Sequence, residues 1–131
     1  MRLFMYDTEL VIEILTQIKS GAQKIERRFS KIGKADDFLS SEDGIDKLDA
    51  ICMMLIAIGE SLKNLDKITD FEILNRYPAV DWKGAKGVRD IISHHYFDID
   101  AEAIFTICKE RIPGLIDTIT GMINDLKIPI N

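Results

Sequence analysis

The residues that decide the fold are 45–65, IDKLDAICMMLIAIGESLKNL, near the middle of a chain of 131 residues. Their apolar or small side chains recur every three or four positions, at Ile45, Leu48, Cys52, Leu55, Gly59, Leu62 and Leu65, with Ile51 and Ile58 beside them. Only an α-helix places residues at this spacing along one side. The two extra isoleucines widen the stripe, so we expect this helix to be the most buried element.

The same spacing occurs in the segments before and after this helix. A first helix is predicted over about residues 6–32, with its stripe at Val11, Leu15, Ile18, Ala22, Ile25, Phe29 and Ile32. A last helix follows Asp100, with its stripe at Ile104, Cys108, Ile112, Leu115, Ile119, Met122 and Leu126. Pro113 has no backbone N–H, so we expect it to kink this last helix.

Two shorter helices are predicted between these long ones. Thr69 and Glu72 have the spacing of a capping box, which predicts a short helix to about residue 76. Asp81 can cap a further helix from Trp82 to about His94, although two glycines make that segment a poor helix by propensity. We therefore expect Trp82 to anchor this helix against the bundle.

The chain shows no strand-like alternation longer than a few residues, no repeat and no linker. We predict an all-α protein, an antiparallel bundle of four to five helices that forms a single domain over residues 1–131. Three long apolar stripes exceed what one small bundle covers internally, so a homodimer is expected.

Composition limits the environment of the protein. The longest stretch without a charge, residues 50–59, has about half of the ~20 residues that a membrane span requires. No apolar signal core precedes the acid Asp7, so we expect a cytoplasmic protein. Cys52 and Cys108 lie in apolar stripes, which favours buried thiols over a disulfide.

The net charge of −5 argues against a protein that coats nucleic acid by bulk electrostatics. Positive charge is nevertheless concentrated toward the end of the first predicted helix, at Lys24, Arg27, Arg28 and Lys31. Cations at that end also favour the negative pole of the helix dipole, so end-capping explains the cluster equally well. One basic contact face is compatible with this distribution.

Both histidines of the chain lie in residues 89–97, RDIISHHYF. An arginine fork matches two phosphate oxygens, and an imidazole takes and gives protons near neutral pH. Asp90, four residues before His94, has the spacing to fix the tautomer of that ring. Together these groups suit the cleavage of an RNA phosphodiester, in which the neighbouring 2′-hydroxyl attacks the phosphorus. In an ideal helix Arg89 and His94 are about 140° apart, so they converge only if the helix tightens or ends near Ser93, or if a second copy faces the first.

A purely structural interpretation of this segment stays open. Adjacent histidines at a helix end are favoured by the dipole, and Arg89 can pair with an acid such as Asp90 or Glu60. Metal, phosphate-loop and serine-hydrolase motifs are absent from the sequence, so we expect no metal and no cofactor.

Arg89, His94 and Tyr96 form the pattern R-x4-H-x-Y, which resembles that of the HepT-type toxins of the HEPN superfamily. The resemblance extends over about residues 8–126 and includes the order of Ile58-Gly59-Glu60, Pro78, Trp82, Gly87-Val88 and Phe97-Asp98-Ile99-Asp100. The doubled histidine leaves its register open: a longer spacing, tolerated in the wider superfamily, would nominate His95, whereas the H-x-Y spacing favours His94.

The resemblance implies an all-helical homodimer that acts as a metal-independent endoribonuclease toxin. In this sequence Arg89 would contact the phosphate, His94 would be the general acid/base and Asp90 the polar residue beside the arginine. It also implies a partner, a minimal nucleotidyltransferase antitoxin that adds AMP to Tyr96. The candidate RNA contacts are Lys24, Arg27, Arg28, Lys31, Lys86 and His95. Two alternatives remain, a non-catalytic nucleotide-binding or scaffold subunit of such a nucleotidyltransferase and a structural helical dimer.

Overall fold

A computed structural model describes residues 6–94 and 97–128, except for the side chain of His94. Every regular element in these ranges is helical, which confirms the all-α prediction. The helices are α1 (Thr8–Phe29), α2 (Glu42–Thr69), α3 (Trp82–His94), α4 (Ala101–Thr106) and α5 (Ile112–Lys127). Short 3₁₀ turns at Ala35–Phe38 and Leu74–Arg76 and a π-helical segment at Ile107–Arg111 connect them.

The long helix α2 organises the bundle. It packs against α1 on one side and α3 on the other, and α1 also packs along α5. The most deeply buried side chains come from these elements, among them Leu15, Ile51, Leu62, Leu65 and Ile119. Burial of these apolar side chains is the main force that holds the helices together.

The predicted stripe of α2 is wrong at its first position. Ile45 is 41% exposed, whereas Gly44 is buried. The 3₁₀ turn that precedes α2 lies directly on Gly44, where an added Cβ would clash with the carbonyl oxygen of Asp37. This close backbone contact fixes the rotation of the first turn and directs Ile45 outward.

The capping box predicted at Thr69 and Glu72 is also wrong. Thr69 is the last residue of α2, and its hydroxyl donates to the carbonyl of Leu65 at 2.7 Å instead of capping a new helix. Glu72 pairs with Arg76. Asp70 follows as the C-cap residue of α2, and its φ of 52° lies in the left-handed region.

Trp82 anchors α3 as expected. Its side chain is buried, and the indole N–H donates to the carbonyl of Tyr77 at 2.8 Å. The hydroxyl of Tyr77 in turn donates to Asp125 of α5 at 2.6 Å. Burial and this bond to a carboxylate raise the pKa of Tyr77 to about 12. These contacts fix the start of α3, and therefore the position of the residues that follow it.

The last predicted helix is interrupted ahead of Pro113. The chain forms α4, then the π-helical segment, and Pro113 lies in the first turn of α5. The π-helical segment runs into α5 without a break, since Arg111 and Ile112 both have helical backbone angles. The structure thus has a π-helical insertion ahead of Pro113, and the predicted kink at the proline stays a prediction.

Cys52 and Cys108 are both free and buried. Burial is the main cause that raises the pKa of Cys52 to about 11 and that of Cys108 to about 12. Both thiols therefore stay protonated at neutral pH. Within residues 6–94 and 97–128, none of the helices combines the length and the apolar character of a membrane span.

Candidate active site

Arg89 lies on α3 and reaches across to α2. Its Nη1 donates to Oε1 of Glu60 at 2.7 Å, and the Arg89 side chain stays 54% exposed. The contact is possible because Gly59 lets α3 approach α2 closely: an added Cβ there would lie 3.1 Å from the carbonyl oxygen of Ala85. Pairing of Arg89 with Glu60 was one of the structural alternatives that the sequence left open.

The ion pair fixes the charge state of Glu60. The hydrogen bond from Arg89 is the largest effect that lowers the pKa of this carboxyl, and the charges of Lys63 and Arg89 act in the same direction. Glu60 is therefore a carboxylate at neutral pH. The bond uses one nitrogen of a guanidinium that carries five N–H donors, so the pairing orients Arg89 and still leaves it suited to a phosphate.

Asp90 follows Arg89 on the exposed side of α3. The helix continues to His94, five residues after Arg89. The side chain of His94 and all of His95 and Tyr96 lie outside the described residues. The proximity of Arg89 to His94, the choice between His94 and His95, and the place of Tyr96 therefore remain predictions.

Lys31, the last residue of the predicted basic cluster, lies far from Arg89. Lys31 is close to the start of α2, where its charge helps Lys47, which supplies the main effect, to lower the pKa of Asp43. Glu60, the partner of Arg89, lies 17 positions further along α2, which is about 25 Å at 1.5 Å per residue. The structure therefore does not bring Lys31 to the side of Arg89, whereas Lys24, Arg27 and Arg28, on α1, remain predicted RNA contacts.

Lys86, in contrast, lies beside Arg89. It is one helical turn earlier on α3 and pairs with Asp66, a buried acid of α2. Lys86 and Asp66 belong to a groove between α2 and α3. The groove is lined by Lys63, Asp66, Lys67, Phe71, Lys83, Lys86, Gly87 and Asp90.

Four lysines of this groove come from two separate helices. Only Lys86 is among the RNA contacts predicted from the sequence. The pairs 63/67 and 83/86 have helical spacing in the sequence. What the spacing does not reveal is that α2 and α3 bring the two pairs together.

An all-helical bundle with a paired, exposed arginine five residues before a histidine defines a protein of the HEPN type. The family model described as "Ribonuclease HepT-like" matches residues 18–122. The chain belongs to the HepT-like ribonuclease family.

Curated relatives agree with this family. A Methanocaldococcus jannaschii protein named "Putative RNase MJ0127" is 38% identical over 78 residues, 60% of this chain and 61% of the relative. A second protein of that organism, "Gamma-glutamylcyclotransferase and putative RNase MJ0434", is 30% identical over 112 residues, 86% of this chain and 47% of the relative. "Probable ribonuclease HepT" of Thermococcus cleftensis is 35% identical over 66 residues, 50% of this chain and 56% of the relative.

The matched regions thus cover 47% to 61% of the length of these three relatives. No solved structure matches the chain.

Proposed function

We propose that this protein is a metal-independent endoribonuclease, the toxin of a toxin-antitoxin pair. One observation carries the proposal. Arg89 lies on α3, the helix that leads to His94, and its exposed side chain is held by Glu60 of α2. Membership of the HepT-like ribonuclease family supports it, as do the ribonuclease names of the relatives. We assign the activity to residues 1–131 as one helical domain.

The chemistry follows from the side chains. His94, as a base, removes the proton of an RNA 2′-hydroxyl, whose oxygen attacks the adjacent phosphorus. The bond from phosphorus to the 5′-oxygen breaks, and an imidazolium returns a proton to that leaving oxygen, which yields a 2′,3′-cyclic phosphate and a 5′-hydroxyl. Arg89 stabilises the negative charge that develops on the phosphate, and Asp90 orients the imidazole.

A homodimer would supply the second imidazole that acid and base catalysis requires. Apolar side chains on α2 and α3 support such a contact, because Met53 is 73% and Ile91 52% exposed. Scattered apolar residues are normal on a surface, but Met53 lies two turns from Glu60 and Ile91 two residues from Arg89, which favours an interface beside the site. Met53→Glu is expected to convert a dimer to a monomer in light scattering, whereas Leu39→Glu, at an exposed residue outside these helices, leaves it unchanged.

The antitoxin partner in this proposal is a minimal nucleotidyltransferase. The phenol of Tyr96 gives its proton to solvent and its oxygen attacks the α-phosphorus of ATP. A bond forms between that oxygen and the phosphorus, the bond from the α-phosphorus to the oxygen bridging to the β-phosphate breaks, and pyrophosphate leaves. The AMP group places a negative charge two residues from His94, where an RNA phosphate would bind, and like charges repel. Mass spectrometry after co-expression with that enzyme should find the added AMP on Tyr96 and none on a Tyr96→Phe variant.

Growth arrest and RNA cleavage test the function itself. Arg89→Ala and His94→Ala should each abolish both effects while the protein stays folded, and His95→Ala should retain them. Loss of activity in His95→Ala but not in His94→Ala would move the acid/base to His95. Nucleotide-dependent protection without any RNA cleavage would favour the scaffold subunit instead.

A further inference from the structure

The lysine groove between α2 and α3 has an aromatic side chain at one end. Phe71 is 60% exposed, and the Nζ of Lys86 lies 6.0 Å from the centroid of its ring. The four groove lysines, Lys63, Lys67, Lys83 and Lys86, outnumber the two aspartates, Asp66 and Asp90. The groove is therefore locally basic in a chain whose net charge is −5.

The backbone holds Phe71 in an unfavourable conformation. Its φ is 61° and that of Asp70 is 52°, although neither residue is a glycine. A bulky side chain rarely occupies this region. Hydrogen bonds fix the turn, because the N–H of Phe71 donates to the carbonyl of Asp66 at 2.8 Å and the amide of Asn75 donates to the carbonyl of Phe71 at 2.7 Å. A strained backbone that exposes a phenyl ring is typical of a functional position.

The groove is continuous with the candidate active site. Lys86 lies one turn before Arg89 on α3. On α2, the Nζ of Lys63 lies 3.8 Å from the same Glu60 oxygen that accepts from Arg89. Lys67 lies one further turn along α2, toward Phe71. Positive charge therefore extends from the guanidinium of Arg89 to the exposed ring.

We infer that this groove binds the single-stranded RNA that flanks the scissile phosphate, with a base stacked on Phe71 and backbone phosphates on the lysines. The inference rests on the proposed function, since it takes RNA to be the substrate. Stacking on an aromatic ring combined with lysine contacts to phosphate is how single strands are bound without sequence preference. A duplex cannot use the ring, because its bases are already stacked on one another.

Binding of an uncleavable RNA tests the groove without cleavage. The probe is a fluorescent 2′-O-methyl oligoribonucleotide of about 12 nucleotides, within the range of single-strand sites, and fluorescence anisotropy gives its Kd at several salt concentrations. The double variant Lys67→Gln, Lys83→Gln should weaken binding and lower the slope of log K against log salt by about 0.7 for each lost phosphate contact. The matched control Lys31→Gln, Lys34→Gln makes the same charge change near the start of α2 and should keep the wild-type Kd and slope.

Substitutions of Phe71 separate stacking from charge and from folding. Phe71→Gly should weaken RNA binding roughly 5- to 160-fold, with an unchanged salt slope. Its melting temperature should equal or exceed that of the wild type, since glycine adopts a positive φ without strain. Phe71→Tyr keeps a stacking surface and should retain the wild-type Kd.

The two proposals fail in different ways. A wild-type protein that binds the probe through the groove but does not cleave unmodified RNA would contradict the nuclease and keep the groove. The groove inference is overturned if the groove variants bind and cleave RNA like the wild type, if the control pair weakens binding instead, or if the wild type does not bind the probe.

Discussion

The guanidinium of Arg89 on α3 and the carboxylate of Glu60 on α2 are joined by a hydrogen bond of 2.7 Å. The bond holds the arginine at the surface before any substrate arrives, one helical turn from the groove residue Lys86. Gly59 makes this possible, because the absence of a side chain lets α3 lie close to α2. An arginine fixed in advance avoids the entropy cost of ordering a long side chain when substrate binds.

Glu60→Gln should separate binding from catalysis. The substitution removes a negative charge beside Arg89, so KM for RNA should fall. It also replaces a charged acceptor with a neutral one and loosens the guanidinium, so kcat should fall by about tenfold, less than the ~100-fold that a 1 Å misplacement can cost. Steady-state kinetics measure both constants. Asp43→Asn, which breaks the ion pair with Lys47 about 25 Å along α2 from Glu60, is the control that should change neither.

The ion pair should also give a defined pH dependence of stability. The folded protein has a lowered pKa at Glu60, chiefly because of the hydrogen bond from Arg89. A lowered carboxyl pKa contributes stability that is present above the unfolded-state pKa and is lost as the pH falls through the folded-state value. In urea unfolding, wild type should be slightly more stable than Glu60→Gln at pH 7. The difference should disappear in strong acid, and a difference that grows in acid would contradict this assignment.

Two glycines of α3 should respond differently to alanine. An added Cβ at Gly87 meets nothing within 4 Å, so Gly87→Ala should stabilise the protein by about 0.5–1 kcal/mol through helix propensity. At Gly84 a Cβ would clash with the carboxylate of Asp81, which caps the helix by accepting from the Gly84 N–H at 3.0 Å. The gain there should be offset by a loss of about 1 kcal/mol for the cap. Thermal unfolding of both variants tests the difference, and equal gains would show that the cap contributes nothing.

The two cysteines should be unreactive in the folded protein. Both thiols are buried, with pKa values raised to about 11 for Cys52 and about 12 for Cys108. Because the thiolate is the reactive form, an aromatic disulfide reagent at pH 8 should label neither residue until denaturant is added. Rapid labelling of one thiol under native conditions would contradict its burial.

Most of the fold could be predicted from periodic apolar residues, because a stripe such as that from Val11 to Ile25 fits only a helix. The local errors have local causes. Thr69 has the spacing of a cap, but its hydroxyl bonds back to Leu65 within α2. Ile45 continues the stripe in sequence, yet the backbone packed on Gly44 directs it outward.

The site was predictable only in part. Arg89 could be found from its pattern with the following histidine, and Glu60 was one of two acids suggested as its partner. The groove lysines Lys63, Lys67 and Lys83 were missed because their proximity depends on how α2 packs against α3. The α1 cations were chosen for their local charge density, which carries no information on their distance from Arg89.

Cleavage of a short defined RNA in the presence of EDTA tests the central claim most directly. The wild type should leave 2′,3′-cyclic phosphate ends, and one 2′-deoxy nucleotide at the scissile position should block the reaction. Arg89→Ala and His94→Ala should each slow cleavage by about 100-fold or more. Cleavage at the 2′-deoxy nucleotide would show that the 2′-hydroxyl is not the nucleophile. Wild-type rates in either variant would show that the substituted side chain does not perform the reaction.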